Sequence, residues 1–252
     1  MPREVSRRFA PVAANYVDSE FHAGGQRLRE VLEICAPEPG DRVLDVATGT
    51  GNTALALARR VAGVVGVDLT PEMLAQARRQ AAERQLPNVE WVEADAQALP
   101  FGAGSFDLYT ARAAPHHFPD LAAALGEAWR VLRPGGHAVL IDCSPPAPAR
   151  DLLHEVEVRR DPSHVRSYTL EEWTAAVRAA GFAIEVAERR ELDWEYEPWM
   201  RRMAVADDEL AALAGVIEGA GGHARRQLRP RREEGKLWHA YWHAFIRARR
   251  DE

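Results

Sequence analysis

Between residues 27 and 187, short apolar runs alternate with longer amphipathic segments. This alternation is typical of β-α units built on a parallel sheet. The apolar runs are almost uninterrupted, as expected for strands that helices cover on both faces. They predict strands at residues 42–46, 63–67, 89–93, 106–110, 137–142 and 182–187.

Helix signals fill the intervals between these strands. Apolar positions at helical spacing predict a helix over residues 27–35, and a run rich in alanine and leucine predicts another over 52–60. Thr70, followed by a proline and an acid, predicts a helix start with a hydroxyl cap. Asp120 predicts a further start, and Thr169 with Glu172 predicts a capping box.

The alternation stops before residue 193. Residues 193–235 begin with an aromatic cluster and continue with one or two predicted helices across 207–226. The cluster consists of Trp194, Tyr196 and Trp199. We expect these rings to pack in the core of the appended helices rather than to line a ligand pocket. Apolar side chains alternate along residues 237–250, which predicts a final strand antiparallel to the others.

Length and charge narrow the function classes. A chain of 252 residues is long enough for one domain, and we expect a single domain over residues 1–252. The formal net charge of −6 argues against a nucleic-acid partner. The sequence contains neither a secretory signal nor a run of ~18 apolar residues. A cytoplasmic protein without a membrane partner is therefore expected.

The cysteines and the last histidines do not form a metal motif. Cys35 and Cys143 are isolated and flanked by apolar residues, so buried thiols are expected rather than a disulfide or a zinc site. His239 and His243 have the spacing of metal ligands on a helix, but no third ligand accompanies them. We expect ordinary strand side chains there, and no metal.

A glycine motif follows the first predicted strand. Gly49 and Gly51, with Ala54 three residues later, would open the next helix. Glycines permit a tight turn and let a ligand approach the main chain closely. The motif alone fits a dinucleotide as readily as another nucleotide.

Three acids at strand ends favour one kind of ligand. Asp45 lies within the strand before the motif, where it would repel a pyrophosphate and attract the cationic amino group of S-adenosylmethionine. Asp68 ends the next strand, where a carboxylate can accept both ribose hydroxyls. Asp95 follows the third strand, where it can accept the adenine amine beside the small Ala96. These acids share one edge of the sheet with the glycine loop, so together they predict an S-adenosylmethionine site.

The chain also resembles a known family over a long stretch. The segments that carry the resemblance are Val-Leu-Asp-Val-Ala-Thr-Gly-Thr-Gly-Asn, Val-Gly-Val-Asp-Leu-Thr-Pro-Glu-Met-Leu, Glu-Ala-Asp-Ala-Gln-Ala-Leu-Pro-Phe, His-His-Phe and Arg-Val-Leu-Arg-Pro-Gly-Gly. Across residues 10–187 the chain is similar to the Rossmann-like small-molecule methyltransferases related to the ubiquinone/menaquinone-biosynthesis C-methyltransferases. The resemblance implies a doubly wound α/β sheet of seven strands in the order 3-2-1-4-5-7-6, with strand 7 antiparallel. It is weakest after residue 190, where the acceptor would be selected.

Carried over by position, the resemblance implies a cofactor site and a lid over residues 1–26, while the sequence pattern itself predicts a helical insertion at 193–235 before the last strand. The implied cofactor-binding residues are Tyr16, His22, Asp45, Ala47, Gly49, Thr50, Gly51, Asp68, Leu69, Met73, Asp95, Ala96 and Arg112. S-adenosylhomocysteine would be the product. The acceptor would be a small molecule methylated by direct displacement, in a monomer or homodimer.

Two pairs of residues are candidates for the chemistry. His116 and His117 follow the fourth predicted strand, and either could act as a base or position the acceptor near neutral pH. They could equally pack under the helix that begins near Asp120. Asp161 and His164 lie between the fifth strand and the next helix, and a turn held by its own side chains is the alternative there.

Two other functions remain open at this level. An NAD(P)-dependent oxidoreductase could use the same glycine loop, although Asp45 counts against it. A non-catalytic S-adenosylmethionine-binding protein would also keep the acids and glycines, because these residues indicate binding and not turnover.

Overall fold

A central sheet with helices on both faces organises the chain in the computed structural model, which describes residues 2–251 apart from the side chains at 2, 3, 20 and 21. The strands are β1 (Arg42–Val46), β2 (Gly63–Asp68), β3 (Val89–Glu93), β4 (Phe106–Arg112), β5 (Leu132–Cys143), β6 (Phe182–Glu195), β7 (Arg231–Glu233) and β8 (Lys236–Arg250). They run in the order β3-β2-β1-β4-β5-β8-β6, and β7 pairs with β8.

The helices connect these strands and cover both faces of the sheet. They are α1 (Pro2–Phe9), α2 (Glu20–Ala23), α3 (Gly25–Cys35), α4 (Asn52–Ala58), α5 (Pro71–Glu83), α6 (Leu121–Val131), α7 (Ala147–Arg160), α8 (Leu170–Ala179), α9 (Tyr196–Arg202), α10 (Asp207–Glu218) and α11 (Gly222–Leu228). Short 3-10 helices lie at Ala10–Tyr16 and Pro115–His117. Among the helices of residues 2–251, none is both long and apolar enough to cross a membrane.

The predicted strand order is confirmed, with β8 in the place of the expected seventh strand. β1 to β5 pair in parallel, whereas β8 is antiparallel to both β5 and β6. The short β7 is an addition that the pattern did not indicate. Its hairpin to β8 turns at Glu234 and Gly235, which have φ values of 51° and 81°. Positive φ at both positions suits the tight turn between two antiparallel strands.

The helix starts follow the predicted signals, with one exception. The Asp120 side chain accepts from the N–H of Ala123 at 2.9 Å, and both bonds of the Thr169 capping box are present. The Thr70 side chain makes no capping bond, so the predicted hydroxyl cap is wrong. Its own N–H donates to the carboxylate of Asp68 at 2.9 Å. This bond connects the end of β2 directly to the start of α5.

The insertion before the last strand begins as a strand. β6 continues through Trp194 to Glu195, because it pairs with β8 over its whole length. Tyr196 and Trp199 then lie on α9, and these two rings and Trp194 are buried with side chains of α7 and β8 in a second apolar core. Their expected packing in a core is confirmed, although the helices begin only at residue 196.

The two cysteines and the last two histidines are all buried side chains. Cys35 and Cys143 are buried free thiols, as expected. His239 and His243 lie on one face of β8 among aromatic rings, and both are buried. Burial lowers the pKa of His239 to about 4 and of His243 to about 3, so both rings are neutral near pH 7.

Candidate functional site

A large cavity opens at the carboxyl ends of β1 to β4. It encloses about 1020 Å³, including the space at its open mouth. The N-terminal residues Val5, Phe9 and Tyr16 form part of its wall. Every residue of the predicted cofactor set lines this cavity except Gly51. The ends of the strands therefore bring these residues to one cavity, as the sequence predicted.

Close packing requires a glycine at position 51, which does not line the cavity. A Cβ on Gly51 would lie 2.6 Å from the ring of Trp91 and 3.1 Å from the Cβ of Ala77. The same ring leaves no room for a Cβ on Gly66 of β2. Gly51 also has a φ of 84°, whereas Gly49 has a φ of 55° and a Cβ added there would meet no atom within 4 Å. The two positions therefore require glycine for different reasons. Gly51 has both a close neighbour and a positive φ, whereas Gly49 has a positive φ alone.

Gly51→Ala should destabilise the fold by about 2–4 kcal/mol, the sum of overpacking against Trp91 and left-handed strain. Gly49→Ala is the matched control, because it carries only the conformational term of about 1 kcal/mol. Urea unfolding of both variants measures the difference in the free energy of unfolding. Equal losses for the two variants would contradict the packing role of Gly51.

Asp45 anchors the floor of the cavity. Its carboxylate accepts from the hydroxyls of Thr48 at 2.6 Å and Thr110 at 2.7 Å. Burial raises its pKa, and these hydroxyl bonds oppose the rise. Each oxygen is already engaged by one hydroxyl, so Asp45 fixes the loop to β4 as well as supplying negative charge to the wall.

Asp68 joins the glycine loop to the start of α5. One carboxylate oxygen accepts from the N–H of Gly49 at 2.7 Å, and the other accepts from the N–H of Thr70. Burial raises the pKa of Asp68 to about 6, although both backbone bonds favour the ionised form. Asp68 therefore titrates close to neutral pH and lies within the cavity wall.

Asp95 holds the turn after β3. Its carboxylate accepts from the N–H and the side-chain amide of Gln97 at 2.9 Å and 3.2 Å. Ala96 is buried beside it, and all three residues line the cavity. The turn therefore presents one partly exposed carboxylate next to a small side chain.

Two residues of the N-terminal segment bond to the site through their main-chain carbonyls. The side-chain amide of Asn52 donates to the carbonyl of Tyr16 at 3.2 Å, and Arg112 donates to the carbonyl of His22 at 2.7 Å. Arg112 also donates to the hydroxyl of Thr53 at 3.0 Å. Burial lowers the pKa of Arg112 to about 10, which leaves it positively charged at neutral pH.

Asn52 is a site residue that the sequence reasoning missed. It is buried and lines the cavity, and its Oδ1 has no hydrogen-bond partner among the described residues. An orphaned acceptor in a cavity wall is costly unless a ligand or water supplies a donor. The sequence signal that could have identified Asn52 as a site residue is its position directly after Gly51, in the first turn of α4.

A second cavity of about 470 Å³ adjoins the first. The two share a wall formed by Phe9, Tyr16, His22, Ala113 and His117. The second cavity continues to side chains of β5, α7, α9 and β8. Trp194 and Trp199 line it too, so these rings are both core residues and cavity residues. A ligand in the first cavity would meet one in the second at this shared wall.

His116 and Asp142 form a close pair in the second cavity. The Nδ1 of His116 lies 2.6 Å from a carboxylate oxygen of Asp142, and the His116 N–H donates to the other oxygen at 2.7 Å. Burial alone would lower the pKa of His116, but the charge and hydrogen bond of Asp142 raise it above its usual value. With Nδ1 held by Asp142, Nε2 is the ring nitrogen left for the cavity. Asp142 was not among the predicted residues.

His117 lies at the shared wall, and residues of the turn after α7 contact both nitrogens of its ring. Its Nδ1 is 3.0 Å from the carbonyl of Ser163, and its Nε2 is 3.8 Å from a carboxylate oxygen of Asp161. Burial, followed by the charge of His116, lowers the pKa of His117 to about 4. His117 is therefore neutral near pH 7. Asp161 lies in a turn that its own side chain stabilises, which was the alternative to a catalytic role. Its carboxylate accepts from the N–H and the hydroxyl of Ser163.

His164 lies behind the cavities and is not among the residues that line them. It packs on His116 with ring centroids 4.8 Å apart, and its Nε2 lies 3.0 Å from the hydroxyl of Ser167. Burial and then the charge of His116 lower its pKa. The structure thus brings His116, His117 and Asp161 to the cavities, while His164 supports the ring of His116.

Ligand atoms of His116, Asp142 and Cys143 lie within 4.8 Å of one another, the spacing of a metal site. However, Asp142 already accepts from His116 and from the N–H of Cys143. Burial raises the pKa of the Cys143 thiol well above its usual value, which keeps it protonated. A hydrogen-bonded pair accounts for this group without an ion.

Comparison with known proteins agrees with this geometry. Residues 43–136 match a family model described as a methyltransferase domain. An uncharacterized methyltransferase of Bacillus subtilis is 34% identical over 86% of this chain and 87% of its own length. The crystal structure of a candidate methyltransferase from Bacillus halodurans superposes with a TM-score of 0.85 at 32% identity, over 90% of this chain and all of that one.

A demethylmenaquinone methyltransferase of Thermus thermophilus is 47% identical over 47% of this chain and 54% of its own length. The chain belongs to the Rossmann-like, S-adenosylmethionine-dependent methyltransferase family. It is an enzyme of that class, and S-adenosylmethionine is the methyl donor of the family.

Proposed function

We propose that this chain holds S-adenosylmethionine in the first cavity and methylates a small-molecule acceptor held in the second. The observation that carries the proposal is the wall shared by the two cavities at Ala113 and His117. A methyl group transferred by direct displacement must pass between donor and acceptor held in line. Adjacent cavities with one common wall supply that arrangement.

The residues present fit the donor. Its cationic amino group matches the orphaned Oδ1 of Asn52 and the negative charge of Asp45, and its carboxylate matches the guanidinium of Arg112. Asp68 and Asp95 carry carboxylates where ribose hydroxyls and an adenine amine would lie. Tyr16 and the rest of the lid would cover the donor.

The hydrogen bonds of the loop disfavour a dinucleotide. A pyrophosphate needs free N–H groups in the glycine loop, but Gly49 donates to Asp68 and Gly51 donates to the carbonyl of Thr48. Asp45, Asp68 and Asp95 all line the cavity and would repel its negative charges.

When bound, S-adenosylmethionine supplies an electrophilic methyl group on a good leaving group. The chain's own task is to position the acceptor, exclude water and remove a proton where the acceptor carries one. His116 is the proposed base, because Asp142 holds its Nδ1 and leaves Nε2 for the acceptor's proton. His117, neutral at the shared wall, orients the acceptor, and Asp161 fixes its ring.

Calorimetry with S-adenosylhomocysteine should show micromolar binding above pH 7 and weakening as the pH falls through about 6, the pKa of Asp68. Above this pH the ionised carboxylate accepts from the ribose hydroxyls and holds the loop, and protonation removes that charge. The lowered pKa values of His22 and His117 keep both rings neutral across this range. Asp45 and Asp95 are the other carboxylates of this cavity, and the pKa of Asp45 is also raised.

Asp68→Asn is the control for this titration, since its affinity should be lower but independent of pH near 6. NADH serves as the second ligand. Tight binding of NADH without binding of S-adenosylhomocysteine would overturn the proposed function. A pH profile that Asp68→Asn leaves unchanged would assign the titration to another group.

A further inference from the structure

The carboxylates of the second cavity are all engaged by donors from the protein. The cavity contains three, on Asp142, Glu157 and Asp161. The donors are His116 and the Cys143 N–H for Asp142, Arg160 and the Tyr241 hydroxyl for Glu157, and Ser163 for Asp161. These bonds connect the acids to one another's neighbouring elements and so hold the walls of the cavity together.

Arg160 presents donors that the protein does not use. Its buried guanidinium donates to Glu157 at 3.1 Å and to the carbonyl of Trp199 at 3.2 Å. With a further hydrogen bond to the side chain of Tyr16, these bonds use three of the five N–H groups that an arginine carries. The guanidinium lies 4.9 Å from the ring centroid of Trp199, which fixes its plane at the cavity wall. A planar, pre-oriented fork of this kind suits an anionic oxygen group.

A second cation lies beside it. Arg202 lines the same cavity, and burial followed by the positive charge of Arg160 lowers its pKa to about 10. An anionic ligand in this cavity would therefore be attracted by two guanidinium groups rather than by one.

Size and polarity limit the rest of the acceptor. With about 470 Å³ against about 1020 Å³, both including the space at the mouth, the second cavity is less than half the size of the first. Charged groups of Glu157, Arg160 and Asp161 contribute to its wall. An alkyl chain packed against them would remove water from these charges without replacing the lost hydrogen bonds. Trp194 and Tyr241 stack on each other with ring centroids 5.0 Å apart, and both line the cavity, which suits an aromatic acceptor.

We propose that the acceptor is a compact aromatic hydroxy acid without a long alkyl tail, with its anionic oxygen group against Arg160 and its hydroxyl facing His116. The inference rests on the proposed function, because it assumes that the second cavity is the acceptor site. The transfer forms a bond between the acceptor oxygen and the methyl carbon and breaks the methyl–sulfur bond. The hydroxyl proton passes to Nε2 of His116.

The test uses the full chain saturated with S-adenosylhomocysteine and titrated by calorimetry. The probes are hydroxybenzoates, hydroxyphenylacetates and hydroxycinnamates, each beside its primary amide of nearly equal size. We expect the best acid to bind at least ~10-fold more tightly than its amide, since a charge-assisted bidentate pair distinguishes them. A naphthoquinol with a geranylgeranyl chain is the bulky, neutral comparison.

Variants of α7 connect the preference to Arg160. Arg160→Gln alone would leave Glu157 buried without its ion pair and can fail to fold. The double variant Glu157→Gln/Arg160→Gln removes both charges and keeps the acceptor for the Tyr241 hydroxyl. It should bind acid and amide within about twofold of each other. Arg159→Gln is the matched control, because its exposed guanidinium pairs with Glu209 outside the cavity.

The outcomes separate the inference from the function on which it rests. Failure of the wild-type chain to bind S-adenosylhomocysteine would remove the proposed function itself. With that binding intact, the inference alone is overturned by any of three results. These are amides binding as tightly as acids, no acid binding below about 5 mM, and the chain-bearing naphthoquinol binding more tightly than every acid. An acid preference that survives in the double variant would also reject Arg160 as its cause.

Discussion

Asp68→Ala should weaken S-adenosylhomocysteine binding by at least ~100-fold, or about 2.7 kcal/mol. The substitution removes a carboxylate that accepts from Gly49 and Thr70 in the cavity wall. Two backbone N–H groups then lose their partner, at a cost of ~1–3 kcal/mol each where they stay buried. The ribose hydroxyls would also lose their acceptor. Calorimetry at pH 7.5 or so gives the affinity, and circular dichroism reports whether the sheet remains folded.

Glu93→Ala is the matched control for this substitution. Glu93 lies opposite Asp68 in the register of β2 and β3, at the same edge of the sheet, but it is exposed and does not line either cavity. Its loss should change the affinity less than twofold or so. Comparable weakening in both variants would show that general negative charge at this edge, and not the contacts of Asp68, governs binding.

Asp142→Asn should lower the pKa of His116 below its usual value and slow methyl transfer by about 10²–10⁴-fold. Without the carboxylate, burial dominates the titration of His116, and the amide no longer selects the Nδ1-protonated ring. The His116 pKa is measured by proton NMR of its ring. The rate is measured by transfer of labelled methyl to an acceptor found by screening, with S-adenosylhomocysteine affinity recorded in parallel.

A second histidine–acid pair provides the control. His137 and Glu185 lie 3.4 Å apart on β5 and β6, away from both cavities, so Glu185→Gln removes the acid of a histidine–acid pair without touching the site. It should leave transfer unchanged. A normal rate in Asp142→Asn, with the pKa of His116 lowered as expected, would falsify the role of His116 as base.

The sheet and the cofactor cavity were predictable because they depend on local rules. Strands covered on both faces are continuously apolar, and the carboxyl ends of parallel strands must meet at one edge. Asp45, Asp68 and Asp95 each follow or end such a strand, so their convergence follows from order along the chain alone.

The second cavity was not predictable in this way, because long-range pairings build it. Asp142 reaches His116 across 26 positions of sequence, and Arg160 reaches the carbonyl of Trp199 across 39. Trp194 was assigned to a helical insertion because an aromatic cluster carries no strand period, and only its pairing with His239 on β8 makes it a strand residue. Gly51 was assigned to the ligand because no sequence signal reveals the ring of Trp91 behind it.

Two of the bonds that attach the N-terminal segment to the first cavity do not depend on the side chains of that segment. Asn52 and Arg112 hold the carbonyls of Tyr16 and His22, and every residue type offers the same carbonyl. A change of side chain at these two positions therefore alters the wall shared by the cavities without removing these two bonds. Because the same wall faces both cavities, we expect such a substitution to act on donor binding and acceptor binding together, so a change of acceptor that evolves at these positions must be one that the donor site tolerates.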